Sequence, residues 1–227
     1  MMLTMITQRV RICPKRRRMS LEELRENNKA AVVERALALF REKGIEQTTV
    51  RDIAAAAGLT ERSVYRYFDG RADIVLAASF LFWQMVIDRT ARMADSEDFR
   101  KATGLEQIRA LLGIYSHLIF TDPDGVRFIL DAEVCLYHAG LQGKLRNRPP
   151  EAFEHSQSPM VRAIAKGLGD GSISPTADVK MLYYGAYDAI LGTMERIALD
   201  ATSAHDTDNQ KRMEYLCQLF VRSFENG

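Results

Sequence analysis

Apolar positions recur at helical spacing along nearly the whole chain, and nowhere do they alternate long enough to argue for a sheet. Val33, Ala36, Leu37 and Phe40 fall at i, i+3, i+4 and i+7, and Gly44 followed by Ile45 ends that helix as a C-cap does. Val50, Ile53, Ala54 and Ala57 repeat the spacing on a shorter helix. Thr49 opens it with Asp52 three residues on, so that the hydroxyl caps the N3 amide while the carboxylate reaches back. Gly58 tolerates the positive φ of a helix stop, and Leu59 can fold back as the apolar contact of such a cap. Thr60 then opens a third helix, in which Val64 and Phe68 share the side that buries against Ile53 and Ala54. From Arg71 onward the pattern predicts helices near residues 71–94, 103–121, 125–140, 158–168, 176–199 and 208–225. Breaks fall at Asp122 with Pro123, at 147–150, at 156–159 and at 167–175. The expected fold is all-α: a basic, disordered leader over residues 1–26, a three-helix domain over 27–72, and a larger helical domain over 73–227.

Burying Val64 and Phe68 leaves Glu61, Arg62, Ser63, Tyr65, Arg66 and Tyr67 turned largely away from the core. Hydroxyls of this kind donate to phosphate oxygens, and arginine adds charge to a backbone contact or a bidentate bond to a guanine edge. A capped helix pair with a polar outer face is also a common structural hairpin, so spacing alone leaves both readings open. The segment resembles the DNA-binding domain of the TetR family of bacterial transcriptional regulators. The family pattern is a threonine pair, an IA-x-x-AG turn, a serine or threonine cap, and Y-x-[HY]-F. This chain matches it at Thr48, Thr49, Ile53, Ala54, Ala57, Gly58, Thr60, Tyr65, Tyr67 and Phe68, with the helix of Val33 to Phe40 as the supporting first helix.

The resemblance covers about residues 27–76 and is architectural beyond that. It implies a helix-turn-helix reading double-stranded DNA. Phosphate roles are expected for Thr49, Ser63, Tyr65, Tyr67 and Arg71, and base reading for Glu61, Arg62 and Arg66, with Thr60 capping the reading helix. Arg71 stands where the family has a phosphate-binding lysine, which keeps the charge and changes the hydrogen-bond geometry. Gly70 is a second departure, since serine or asparagine is common there.

Charge changes this picture less than it first promises. Through residue 72 the chain holds 15 Lys and Arg against 9 Asp and Glu, and after it 16 against 21. Six of the basic residues, Arg9, Arg11, Lys15, Arg16, Arg17 and Arg18, precede Met19, however, and residues 19–72 are balanced at 9 against 9. Placement of groups, not bulk charge, therefore carries the DNA-binding assignment. The leader could be an arm that tracks phosphates or enters a minor groove. It could equally be a cloning remnant or follow from an upstream start codon, with Met19 as the natural start.

In the last predicted helix Met213, Leu216, Cys217, Phe220 and Phe224 form one apolar stripe, widened by Val221, which is more apolar surface than a terminal helix usually exposes. The helix before it carries apolar groups on more than one face. The resemblance implies a homodimer joined through these last two helices as a four-helix bundle, reading a pseudo-palindromic operator. It also implies a small-molecule effector pocket among the middle helices. Trp83, His117, Phe120, Glu133, Tyr137, His138, Tyr184 and Asp188 are polar or aromatic groups among apolar neighbours, the mixture expected of a cavity that orients a ligand. Each also has a plain structural use: Trp83, Phe120 and Tyr184 as core, His117 satisfied by a backbone carbonyl, and Glu133 paired with Arg127 or Arg162 rather than a ligand. A mixed aromatic and apolar lining suits a lipophilic effector.

Catalysis finds no support. The glycine cluster at 167–171 follows a helix rather than a strand, so it is not a dinucleotide fingerprint and reads as a helix terminus and turn. His117, His138, His155 and His205 are dispersed, and Cys13, Cys135 and Cys217 have no metal-ligand spacing and an odd count. No cofactor and no metal are expected. No apolar run reaches the roughly 18 residues of a bilayer crossing, so the cytoplasm is the expected location and no membrane partner is expected. Within the same fold, a ligand-released repressor, an activator and a DNA-bound platform for other proteins stay open.

Overall fold

The computed structural model describes residues 20–144, 158–199 and 206–226, and every regular element among them is helical. The leader up to residue 19, Cys13, the break at 147–150, residues 156 and 157, His155 and His205 lie outside the described residues.

The first helix, α1 (Leu21–Lys43), starts inside the segment expected to be leader. Ser20 caps it in a reciprocal box with Glu23, the side-chain oxygen accepting from the Glu23 amide at 3.0 Å and the carboxylate accepting from the Ser20 amide at 2.7 Å. Residues 20–26 therefore belong to the fold, a consequence of a cap that the apolar spacing does not reveal. Next come α2 (Val50–Ala56) and α3 (Glu61–Val64), and the three pack through Val32, Ala36, Phe40, Ile53, Ala54, Val64 and Phe68, all buried.

The long helix α4 (Arg71–Ala94) joins this head to the body, packing on α1 and on α8 (Pro123–His138). Contrary to the expectation that no apolar run reaches that length, it is long and apolar enough to cross a bilayer, with a mean hydropathy of 1.3 over 18 residues. Here it is a core helix that buries Ile74, Val75, Ala78, Phe82, Trp83 and Val86. The head is locked to the body by aromatic packing. Phe40 of α1 stacks on Phe128 of α8 at 5.7 Å, and Phe82 of α4 meets Phe128 edge-on at 6.4 Å. Beside them Arg41 donates to the Asp122 carboxylate, which also caps α8 by accepting from the Gly125 amide at 3.0 Å.

A short helix not predicted from the sequence, α5 (Glu97–Lys101), is capped by Ser96. The expected helix over 103–121 is two, α6 (Gly104–Ser116) and α7 (Leu118–Thr121), divided at His117. At the break the Ser116 hydroxyl and the His117 ring both reach the Gly113 carbonyl, at 3.1 and 2.7 Å, in competition with the helical ladder. A 3-10 turn (Gln142–Lys144) follows α8.

The body is completed by α9 (Pro159–Asp170), α10 (Val179–Ala198) and α11 (Thr207–Asn226). The glycine cluster is structural. Gly167 lies where α9 crosses the start of α6 so closely that a Cβ on Gly104 would overlap its backbone, and Gly171 ends α9 in the left-handed region at φ 75°. Asp170 and Ser172 cap α6 by accepting from the Gly104 and Leu105 amides at 2.9 and 3.1 Å. The apolar stripe of α11 is mostly consumed within the chain: Met213, Cys217, Val221 and Phe224 are buried, and α11 packs on α6 and α10.

Candidate functional site

The outward face of α3 is assembled by three local devices. Thr48, fully buried, donates its hydroxyl to the Gly44 carbonyl at 2.7 Å and ties the loop back onto the end of α1. Thr49 and Asp52 form the expected reciprocal box, at 3.1 and 3.0 Å, and Lys43 of α1 donates to the same carboxylate at 2.9 Å. The Thr49 amide first, then the Lys43 ammonium and the Thr49 hydroxyl, hold the Asp52 carboxyl down at about 2. Gly58 turns the chain at φ 68°, and the Leu59 amide closes the turn on the Ala54 carbonyl at 2.9 Å. Thr60 then caps α3, accepting from the Ser63 amide at 3.2 Å, with the two hydroxyls 3.0 Å apart.

Hydrogen-bonded turns carry α3 on to Phe68, and Val64 and Phe68 are the residues it buries. Glu61, Arg62, Arg66 and Tyr65 are exposed, Tyr65 by 53%, and Ser63 is half-buried on the same short element. A polar, cationic and phenolic convex face of one helical turn and a half fits the width of a major groove.

Two expected contacts are more engaged than the sequence implies. Tyr67 is half-buried and its hydroxyl accepts from Asn28 of α1 at 3.3 Å, so its position is set by the first helix. Arg71 donates to the Ile45 carbonyl at 3.3 Å and lies 4.0 Å from the Glu46 carboxylate, holding the loop between α1 and α2. Gly70 is extended at φ −179°, a conformation open to any residue, and the turn there is closed by Asp73 accepting from the Asp69 amide at 3.2 Å. Sequence reasoning missed Asn28 and Arg25, which line a groove of about 510 Å³ with Arg66 and Tyr67. Their polar character on the outer face of α1 was legible; their nearness to α3 was not.

The eight residues expected at a ligand pocket are not brought together. Trp83 is buried edge-on to Phe82 at 5.3 Å, and Phe120 packs half-buried against the core. His117 bonds the Gly113 carbonyl, the structural use anticipated for it. Tyr137 and His138 are exposed at the end of α8, Glu133 is half-buried on the same helix, and Tyr184, half-buried, lies under the Lys180 ammonium on α10, where Asp188 is exposed.

Instead, a cavity of about 460 Å³ opens between α4, α6, the start of α9 and α10. Ile87, Thr90, Leu111, Tyr115, Met160, Tyr183 and Tyr187 line it, with Ser158, Arg162 and Asp95 also at its border. Its apolar wall with a few polar groups is the composition of a small-molecule site. Nothing in the sequence singles out Tyr115, Tyr183 and Tyr187, because helical spacing does not tell a wall of a cavity from a wall of a core.

Residues 32–78 match the family profile described as "Bacterial regulatory proteins, tetR family". The HTH-type transcriptional repressor KstR2 of Mycobacterium tuberculosis is 27% identical over 164 residues, 69% of this chain and 74% of that protein. Two solved structures share the fold. A TetR-family transcriptional regulator from Pectobacterium atrosepticum superposes with a TM-score of 0.69 at 20% identity, covering 92% of this chain and 99% of its own. The regulator FadR from Bacillus subtilis, in complex with stearoyl-CoA, superposes with a TM-score of 0.62 at 20% identity, covering 86% and 98%.

Proposed function

We propose, from the premise that this chain belongs to the TetR family of DNA-binding transcriptional regulators, that it is a cytoplasmic homodimeric repressor, released from a pseudo-palindromic operator by a small molecule. The observation that carries this reading is the exposed face of residues 60–67, with Tyr65, Arg62, Arg66 and Glu61 presented on a helix fixed by the Thr60 cap and the Gly58 turn. Thr49, Ser63, Tyr65 and Tyr67 serve the phosphates, with Asn28 positioning Tyr67. Arg71 serves them only by giving up its bond to Ile45. Residues 27–72 work as the reading head and 73–227 as the regulatory body, with α4 common to both.

The partner copy docks on α10 and α11. Met181 of α10 and Leu199, the residue that caps its C-terminus, are exposed by 66% and 74%, and Tyr215 and Leu219 of α11 by 59% and 42%, and these groups rather than the stripe of Met213 and Phe224 supply the apolar contact. The effector enters the cavity between α4, α6, α9 and α10. KstR2 is named for repression, and the FadR structure holds stearoyl-CoA, which supports a lipophilic effector for this chain. Ile87 and Thr90, on the wall of the cavity, sit on the helix whose first turn holds the head through Arg71, so an effector that displaces α4 moves the reading face. Release requires tighter binding of that effector to the DNA-incompetent arrangement than to the competent one.

Selection of bound sequences from random DNA tests the reading. The expected product is a pseudo-palindrome whose half-sites lie about one helical turn, roughly 34–36 Å, apart. Enrichment of a single asymmetric half-site would refute the dimeric reader, and no enrichment would refute the DNA-reading face itself.

A further inference from the structure

The first two turns of α1 and the residues that follow α3 border one groove of about 510 Å³. Leu21, Leu24, Arg25 and Asn28 fall at i, i+3, i+4 and i+7, so a single side of α1 lines it, and Arg66 and Tyr67 complete the lining. Two guanidiniums and no carboxylate are among these groups. Of the acidic residues in the same turns of α1, Glu23 is bound to the Ser20 amide at 2.7 Å, and Glu22 and Glu26 lie off the lining. Arg41 and Arg71 are engaged by Asp122 and by the Ile45 carbonyl. The side chains of Arg25 and Arg66, by contrast, are exposed and make no hydrogen bond or ion pair among the described residues. Between the two walls the Asn28 amide donates to the Tyr67 oxygen at 3.3 Å. An amide nitrogen only donates, so this bond leaves the Tyr67 proton for another acceptor.

These donors select an occupant with negative charge and acceptor oxygens. The leucines add a second condition. Leu21 is 87% exposed and Leu24 44%, and a free anion in the groove would leave both in water. A DNA strand meets both conditions, because its phosphate oxygens alternate with the carbon faces of deoxyribose. Arg66 and Tyr67 also belong to the outward side of residues 60–67, so the groove continues the α3 face onto α1 and lies where a bound duplex would run.

We propose that this groove seats one phosphate of the DNA strand and the deoxyribose beside it, with Arg25 of α1 as a phosphate ligand next to Arg66 and Tyr67, and Leu21 and Leu24 against the sugar. The first helix is then part of the DNA interface as well as the support of α3, and Arg66 holds backbone rather than reading a base. The assignment rests on the reading of residues 60–67 as the DNA-binding face. Affinities of the full chain, Arg25→Ala and Arg25→Lys between about 50 and 200 mM salt test it, on the duplex recovered by selection from random DNA and on a shuffled duplex of equal length. Arg25→Ala should lower the slope of log affinity against log salt by about 1 per bound protomer and weaken binding about fivefold to tenfold near 0.1 M salt. The loss should be the same on both duplexes, with the melting temperature unchanged. Arg25→Lys keeps the charge and should keep the slope. In selected duplexes carrying one neutral methylphosphonate per half-site, one position should weaken the unaltered chain and leave Arg25→Ala unaffected, which marks the seated phosphate. An unaltered slope in Arg25→Ala, a loss confined to the selected duplex, a slope that Arg25→Lys also loses, or a methylphosphonate series with no such position would each overturn the seat while leaving the α3 face as the reader. Failure of the unaltered chain to bind either duplex would instead overturn the reading of that face, and the seat with it.

Discussion

The tyrosines of the head and those of the body have the same side chain and opposite surroundings. Tyr65 is 53% exposed on α3 and Tyr67 is half-buried with its hydroxyl tied to Asn28, whereas Tyr115, Tyr183 and Tyr187 are 5%, 2% and 2% exposed on α6 and α10. In the head the phenol offers its oxygen to whatever lies outside, and its neighbours there are caps and turns that hold a short helix out from a small core. In the body the three rings pack against one another beside a cavity, and burial pushes the Tyr115 and Tyr187 hydroxyls above their ordinary range. The difference separates two kinds of recognition. A duplex is met by groups already hydrated, so affinity depends on their number and charge. A small ligand is met by groups already dry, so its identity is set by one or two hydrogen bonds.

The sharpest way to break this division is to damage the body without touching the head. A Cβ at Gly104 would overlap the backbone nitrogen and Cα of Gly167 and come within 2.5 Å of the Ala163 carbonyl oxygen, none of which can swing aside. Gly104→Ala should therefore destabilise the chain by about 3 kcal/mol, read by urea unfolding, since overpacking against backbone lies at the upper end of its usual cost. An unaltered midpoint would mean that α6 and α9 are not held at this spacing.

A smaller effect is expected in the head, and on binding rather than folding. Arg62→Ala and Arg66→Ala remove exposed side chains that make no hydrogen bond or ion pair among the described residues, so the melting temperature should stay put while operator affinity falls by about 1–3 kcal/mol. Loss confined to one operator position would identify a base contact, and equal loss on all operators a phosphate contact. A fall in stability instead would show that the face is not the independent surface described.

The smallest effect is electrostatic. Asp52 sits at about 2 in the fold against an ordinary 3.8, so its contribution to stability is complete above pH 3.8 and fades as the pH falls toward 2. Asp52→Asn should flatten the acid limb of the stability curve across that window, measured by circular dichroism. Glu106, lowered by the Thr103 amide and hydroxyl, and Asp170, lowered by the Ser172 hydroxyl and then the Gly104 amide, should keep the remaining slope in place. An acid limb unchanged by Asp52→Asn would show that the α2 cap forms equally in the unfolded chain.

Reciprocal caps, the Gly58 turn and the spacing of buried positions are local, and the all-helical order with most element bounds follows from them, as at Arg71–Ala94. The same local logic identifies the exposed face of α3, because four helical residues running on through hydrogen-bonded turns to Phe68, with Val64 and Phe68 buried, leave the others little choice about where to point. What failed locally were features made by two distant segments. The bond from Asn28 to Tyr67 spans 39 positions and the pairing of Arg41 with Asp122 spans 81. The stripe of α11 was legible as apolar, but only the packing of α6 decided that Met213, Cys217 and Val221 face inward and that Tyr215 and Leu219 stay exposed.

Periodicity in the chain thus determined which residues are helical and which side of each helix is dry. Whether a dry side closes into core or opens into a cavity was decided by how α4, α6, α9 and α10 meet, because a missing volume of about 460 Å³ belongs to the gap between helices and to no single one of them.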